Sequence, residues 1–350
     1  MKITTIGLDL AKSVFQVHGV DGEGRAVLRK QLKRHQMAEF FANTPPCLIG
    51  MEACGGAHHW ARKLQAQGHD VRLIAPQYVK PYVKSQKNDA ADAEAICEAV
   101  ARSSMRFVAV KTVGQQSLLA LHTSRSGFVK ARTALSNQIR ALLSEFGVVL
   151  PKGFSALFTR VPEALEDAAN ELTSIVRELA QRLLDHIKDL DELIKKLELQ
   201  IRQWARADET VRRIEQIPGI GPISATALVA SLGDVSHFEN GRQVSAWLGL
   251  VPRQHSSGGK TVLSGITKRG DSYLRTLLIH GARAAILAAQ RRRQGPPDWL
   301  AKLLERKHPN VAAVALASRN ARIVWALLKH KRDYEPGYGR DKHLSAAIVA

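Results

Sequence analysis

Cysteine is scarce in this chain, with three residues, Cys47, Cys54 and Cys97, in 350. Three cannot build a disulfide framework, and none stands in a CxxC or Cys/His zinc spacing. The expectation is therefore a reducing cytoplasm and no structural zinc. Acids are in short supply too: 32 Asp and Glu face 51 Lys and Arg, a formal net charge of +19. An excess of that size points to a polyanionic partner, most often nucleic acid. A long hydrophobic run is also missing. The opening MKITTIGLDLAK places Asp9 within its first ten residues and has no signal-peptide core. The longest apolar reach, 311–328, is interrupted by Arg319, Asn320 and Arg322, so no membrane span is expected. There is no GxxxxGK[ST] phosphate loop, no internal repeat and no low-complexity tract. What is present is 45% apolar residue over a length that suits two or three domains with cores of their own.

The first hundred residues alternate strand and helix signals. Strands are predicted over 3–9, 13–20 and 25–32, joined so tightly that they form an antiparallel meander. A short helix near 35–43, a strand over 47–51, a helix over 57–67, a strand over 71–75 and a helix over 90–102 capped by Asn88 or Asp89 follow. The order β-β-β-α-β-α-β-α is that of an RNase H-like domain. From about Leu118 the chain turns helical. Between Glu171 and Arg206 apolar residues recur three or four apart at Val176, Leu179, Leu183, Ile187, Leu190, Ile194, Leu197, Ile201 and Trp204, close to a heptad seam. That seam suits either a hairpin with the helix over 118–146 or a dimerising arm. The last hundred residues hold 19 Lys and Arg against 6 Asp and Glu, and Arg291, Arg292 and Arg293 begin a basic loop between helices. The tail after Tyr334 is expected to be loose. The fold class is thus α/β followed by all-α, divided as 1–150, a helical arm over 151–207, a helical domain over 208–333 and a tail over 334–350.

Four carboxylates carry the chemistry of the first part. Asp9 sits inside an apolar strand and Glu52 ends another; a charge there is costly unless it is paired or ligates a cation. In a meander followed by a parallel strand the first and fourth strands are neighbours, so the two acids converge. Asp89 and Asp92 are three apart at a helix start and share a face. Oxygen ligands of this kind suit Mg²⁺ or Mn²⁺, and a pair of such ions clamps the attacking and leaving oxygens of a phosphodiester. Taken singly, Asp92 also reads as a solvated helix residue and Asp89 as a cap.

Two further motifs point to nucleic acid. Ile217-Pro218-Gly219-Ile220-Gly221-Pro222 joins two helices; Gly219 and Gly221 permit a tight turn and leave N–H groups at a helix N-terminus where a phosphate binds. It resembles a helix-hairpin-helix, although a plain interhelix turn has the same composition. Further on, Ser256 and Ser257 stand in a Gly-rich loop with Arg253, His255 and Lys260 close by and Lys268, Arg269 and Arg275 downstream. A serine hydroxyl ringed by cations suits attack on phosphate; an ordinary phosphate-contacting loop looks alike.

Together these pieces resemble the transposases of the insertion-sequence one-ten family, in the branch with subterminal inverted repeats. The resemblance covers nearly the whole chain. GLDLAK, MEACGG and KNDAADAEAI supply Asp9, Glu52, Asp89 and Asp92 as the family's DEDD quartet. IPGIGPISATALVASLGD, FENGRQVSAWLGLVPRQHSSGGK and ITKRGDSYLR match its second conserved domain. The resemblance implies a RuvC-like domain, a coiled-coil insertion and a small helical transposase domain. It implies a recombinase whose serine, Ser257 with Ser256 as the near competitor, becomes covalently linked to DNA with help from the carboxylates and Mg²⁺, the two parts of the site coming from different subunits. It also implies donor and target DNA, a structured guide RNA that pairs with both, and a homo-oligomer, a dimer or tetramer, as partners, with no membrane involved. Two other readings compete: a junction-resolving nuclease that uses carboxylates and water alone, and a basic architectural protein that cuts nothing.

Overall fold

The computed structural model describes residues 2–84, 88–292 and 295–336. Arg293 of the basic loop and most of the expected loose tail lie outside the described residues. Two compact units result, one of residues 1–116 with 231–239, the other of residues 117–230 with 240 onward. This division by packing differs from the boundaries expected from sequence, because the long helix that begins at 113 packs with the helices that follow it.

The first unit is built on β1 (Thr5–Leu10), β2 (Val14–Val20), β3 (Ala26–Lys33), α1 (Met37–Ala42), β4 (Leu48–Glu52), α2 (Ala57–Ala66), β5 (Asp70–Ile74), α3 (Pro76–Val79), α4 (Asp89–Val100) and β6 (Phe107–Val108). Its sheet runs β3-β2-β1-β4-β5-β6. The β1–β2 and β2–β3 pairs are antiparallel, whereas β1–β4 and β4–β5 are parallel. The predicted meander and the adjacency of first and fourth strands are thus present. Strand β6, antiparallel to β5, has two residues and too little pattern to be seen in the sequence.

Alternation along β1 decides what each face does. Ile6 and Leu8 are fully buried in a core shared with Phe15, Ile49, Met51 and Trp60. Gly7 and Asp9 point to the other face. There α4 lies directly on the sheet. A Cβ on Gly7 would collide with the Ala93 carbonyl oxygen and with Cys97, and one on Gly50 would come within 2.7 Å of Val100. Only glycine at both positions lets α4 approach so closely.

The second unit contains α5 (Val113–Ser144), α6 (Phe154–Glu166), α7 (Ser174–Ala207), α8 (Glu209–Glu215), α9 (Pro222–Leu232), α10 (Gly241–Trp247), β7 (Pro252–Ser257), β8 (Lys260–Ile266), α11 (Ser272–Gln290), α12 (Asp298–Arg306) and α13 (Pro309–His330). Helices α5 and α7 pair antiparallel: Arg125 bonds Glu198 and Arg132 bonds Asp191, and Ile139 and Leu143 share a core with Ala180 and Leu184. The hairpin reading of the long seam is the one realised. The buried stripe of α7 includes the predicted Val176, Ile187, Leu190, Ile194 and Ile201. It departs from the prediction at its ends, where Ala180, Leu184 and Ala205 face inward while Leu179 and Trp204 are exposed. One expectation of purely helical structure changes, because the unit includes a β-hairpin. Helix α13 has the length and mean hydropathy, 1.4, of a membrane span, as the core helix of a protein can. Its Ala312, Ala313, Ala317, Ala321 and Val324 are buried in the protein, and Arg319 and Arg322 lie along it.

Candidate active site

Register explains how the carboxylates meet. Gly7 pairs with Gly50 and Leu8 with Met51 in the parallel β1–β4 ladder. Asp9 and Glu52 come next on their strands, two residues beyond the glycines that α4 covers and on the same face. The first turn of α4 brings Asp89 and Asp92 to that face. Asn88 caps the helix, its side chain accepting from the Ala91 N–H at 2.8 Å. The cap expected of either Asn88 or Asp89 is therefore Asn88, which leaves the Asp89 carboxyl for other work. The cluster shows in its electrostatics. Burial, followed by Asp92, Asp89 and Glu52, lifts the Asp9 carboxyl from 3.8 to about 6, against the pull of the Leu10 backbone hydrogen bond. The Cys54 thiol is raised by burial and by the same Glu52 and Asp9 charges. A cysteine thus stands beside the acids, a placement that no sequence pattern indicates.

Among the described residues, no three His, Cys, Asp or Glu side chains converge closely enough to ligate one ion. The donor chemistry nevertheless fits a hard divalent cation: the four groups are carboxylates, and the innermost resists ionising. Gly7 and Gly50 are the residues sequence reasoning missed. Each is two positions before an acid on an apolar strand, a period-2 signal available in the sequence.

The serine motif belongs to the other unit, and it is not a flexible loop. Residues 252–266 form a two-stranded hairpin, β7 with β8. Gly258 and Gly259, with φ of 55° and 77°, make its two-residue turn. Every residue of β7 and all of β8 except Ile266 are exposed, so the hairpin stands out from the unit with no core of its own. Its base is anchored by the Thr267 N–H to the Val251 carbonyl at 2.9 Å and the Lys268 N–H to the Gly249 carbonyl at 3.2 Å.

The pairing separates the two serines. Ser257 pairs with Lys260 and His255 with Val262, whereas Ser256 pairs with Thr261. Cross-strand partners share a face, so Ser257 stands with Lys260 and His255, and Ser256 stands with Gln254 and Thr261. The Gln254 side-chain amide donates to the Ser256 hydroxyl at 2.8 Å. Arg253 lies at an irregularity in the ladder between Pro252 and Gln254. Lys268 and Arg269 are exposed beyond the hairpin, Lys268 with a left-handed φ of 55°. Arg275 donates to the Leu248 carbonyl at 3.2 Å and is half-buried, so it also holds the chain before the hairpin in place.

The turn over 217–222 joins α8 to α9 as predicted. Asn320 on α13 donates to the Pro218 carbonyl at 2.9 Å. Gly219 packs against α11, where a Cβ would meet the Gly281 carbonyl at 2.6 Å; its lack of a side chain serves packing. Gly221 is exposed with open space around it, at the N-terminus of α9. Within the same unit the buried His122 bridges the Tyr273 hydroxyl and the Thr226 hydroxyl, both at 3.0 Å, and so links α5, α11 and α9.

Comparison with known proteins supplies the family. A profile described as "Transposase IS116/IS110/IS902 family" matches residues 211–295, and a DEDD transposase profile matches residues 6–148. A Pseudomonas aeruginosa protein named "Probable family 20 transposase" is 52% identical over 96% of this chain and 100% of its own length. The transposase for insertion sequence element IS1111A of Coxiella burnetii is 45% identical over 96% of this chain and 92% of its own. That for IS1328 of Yersinia enterocolitica is 43% identical over 93% and 96%. The matched segments contain the carboxylate cluster and the serine hairpin, and the chain belongs to the IS116/IS110/IS902 family of transposases.

Proposed function

We propose that this transposase breaks and rejoins DNA through Ser257. The observation that carries the reading is the hairpin: it presents Ser257 on one face with Lys260 and His255, while Gln254 engages Ser256 on the other. In the first step the Ser257 Oγ attacks a backbone phosphorus, the Ser257 hydroxyl gives up its proton, and the bond to one deoxyribose oxygen breaks. That oxygen leaves as a hydroxyl. In the second step a hydroxyl of another strand attacks the phosphoserine, and Ser257 regains a proton. One phosphodiester is exchanged for another, so no nucleotide is consumed. Lys260, His255 and Arg253 offset the charge that builds on the phosphoryl oxygens.

Asp9, Glu52, Asp89 and Asp92 would hold Mg²⁺ or Mn²⁺, which when bound supplies charge neutralisation at the scissile phosphate. The functional division is a RuvC-like, RNase H-like domain over 1–150, an arm over 151–207 and a serine domain over 208–333. Gly221, Lys268 and Arg269 hold the backbone of donor and target DNA, while Gly219 and Arg275 shape that surface from behind. A structured guide RNA reads the sequence by base pairing, as in other guided systems, and the working form is a dimer or tetramer in which one copy's carboxylates serve another's serine. The net +13 of the last hundred residues suits so much polyanion.

The test is a denaturing gel of protein incubated with guide RNA, both DNAs and Mg²⁺. A protein–DNA adduct should form with the wild type and Ser256→Ala and vanish with Ser257→Ala. Cleavage without an adduct in any lane would instead establish the carboxylate-only nuclease.

A further inference from the structure

On the second unit, a groove of about 380 Å³ lies between the start of α10, the helix that precedes the serine hairpin, and α13. Arg242, Arg322 and Trp325 line it. Arg319, one turn before Arg322, lies over the Trp299 ring at 4.9 Å. Among the described residues no carboxylate pairs with Arg242, Arg319 or Arg322. Their crowding is felt at Arg322, whose guanidinium is pulled below its ordinary value by burial first, then by Arg319 and Arg242. Two like charges lining a concavity, with a third one helical turn away, work against folding. The short α10 is placed there by Asn240, whose side chain accepts from the Arg242 and Gln243 N–H groups. Arg242 is thereby held at the groove by the cap itself.

The chemistry that answers such a site is an anion joined to a flat, apolar group. The arginines match phosphate oxygens with paired N–H donors, and the Trp325 indole, at about a right angle to the His330 ring 5.9 Å away, adds an aromatic surface to the wall. We infer that the groove between α10 and α13 receives an unpaired nucleotide of a nucleic-acid strand, with its phosphates on Arg242 and Arg322 and its base against Trp325. A base inside a duplex is stacked on its neighbours and cannot enter, so the site selects single strands. This rests on the reading that the chain handles nucleic acid strands, but it does not depend on which serine is the nucleophile.

The experiment uses the full chain and fluorescence anisotropy with labelled oligouridine, oligothymidine and a random duplex, across a salt series. Arg242→Gln with Arg322→Gln should weaken single-strand binding and flatten its salt slope by about 1.4, near 0.7 for each phosphate no longer neutralised. Trp325→Leu should weaken it about tenfold at constant slope, within the range for removing one stacked base. The duplex should respond to neither. Equal losses on the two single strands identify a site for the shared backbone; a loss on one alone names that strand as the ligand. Unchanged single-strand affinity and slope in the double variant, or an equal loss on the duplex, would overturn the inference. So would a change confined to self-association in sedimentation, which would make the groove an interface between copies. The readout is binding, so an error in assigning Ser257 would leave it untouched.

Discussion

Asp9→Asn separates stability from function in a way the carboxylate cluster dictates. Burial and three neighbouring acids raise the Asp9 carboxyl from 3.8 to about 6. A displacement of that size corresponds to at most about 3 kcal/mol against the ionised, folded form, and less because water reaches this half-buried group and screens its neighbours. The folded state holds its proton more tightly than the unfolded state does. Stability therefore falls as pH rises from about 4 to 6, and above that window the whole penalty is present. Asparagine has the same shape and no charge. In EDTA at pH 7.5 the variant should be the more stable protein, by about 1–2 kcal/mol once the buried amide's own needs are deducted, or roughly 3–8 °C in midpoint. At pH 4.5 the Asp9 penalty falls to about a third, so the same pH-independent amide cost should leave the variant no more stable than wild type. Mg²⁺ should raise the wild-type midpoint and leave the variant's unchanged, because binding to the folded state alone stabilises it. Calorimetry at the two pH values, with and without Mg²⁺, reads all of this, and the same variant should form no adduct. An Asp9→Asn protein no more stable than wild type at pH 7.5 would refute the claim that burial and the neighbouring acids strain the Asp9 carboxylate in the folded chain.

Gly7→Ala should destabilise the first unit by about 1–3 kcal/mol or more, as overpacking does, and abolish cleavage, since the new Cβ meets the backbone of α4; Gly22→Ala, with only Thr4 at 3.9 Å, is the control in the same melting experiment. Val262→Ser with Leu263→Ser, at side chains 60% and 61% exposed, should leave the melting midpoint within about a degree while suppressing the adduct, if those residues are covered only when the hairpin docks. Lys268→Ala should reduce the salt slope of duplex binding by about 0.9, measured by titration against NaCl; an unchanged slope would mean that Lys268 faces away from the backbone.

How much of this is legible in the sequence depends on the range of the forces involved. The meander, the β1–β4 adjacency and the convergence of Asp9 with Glu52 follow from period-2 alternation and short turns, which are local properties. The cap at Asn88 and the turn over 217–222 are local as well. The buried face of α7 matches the predicted stripe at Val176, Ile187, Leu190, Ile194 and Ile201 but takes Ala180 over Leu179, because both are apolar and the packing of α5 and α6 decides between them. The serine hairpin reads as a loop because its strands bury nothing: Arg253, Gln254, His255 and Ser256 show no alternation of apolar with polar residues. Its signal is the Gly258-Gly259 pair, which a tight β-turn and a flexible loop share. The roles of Gly219 and Arg275 depend on Gly281 and Leu248, partners fixed only by the tertiary fold.

The two sites share a physical property that bears on how the reaction is controlled. The carboxylate cluster is electrostatically strained in the bare chain, since Asp9 ionises with difficulty beside three other acids. The serine hairpin exposes Val262 and Leu263 and is fixed only at its base. Each is improved by what a nucleic-acid complex brings: a cation and phosphate for the first, a covering surface for the second. A serine hydroxyl has an ordinary reactivity until such groups surround it. On the proposed serine mechanism, reactivity belongs to the assembled state, and the free protein should be inert toward DNA even at high concentration. That confinement would follow from leaving both halves of the proposed chemistry unsatisfied until the substrate completes them.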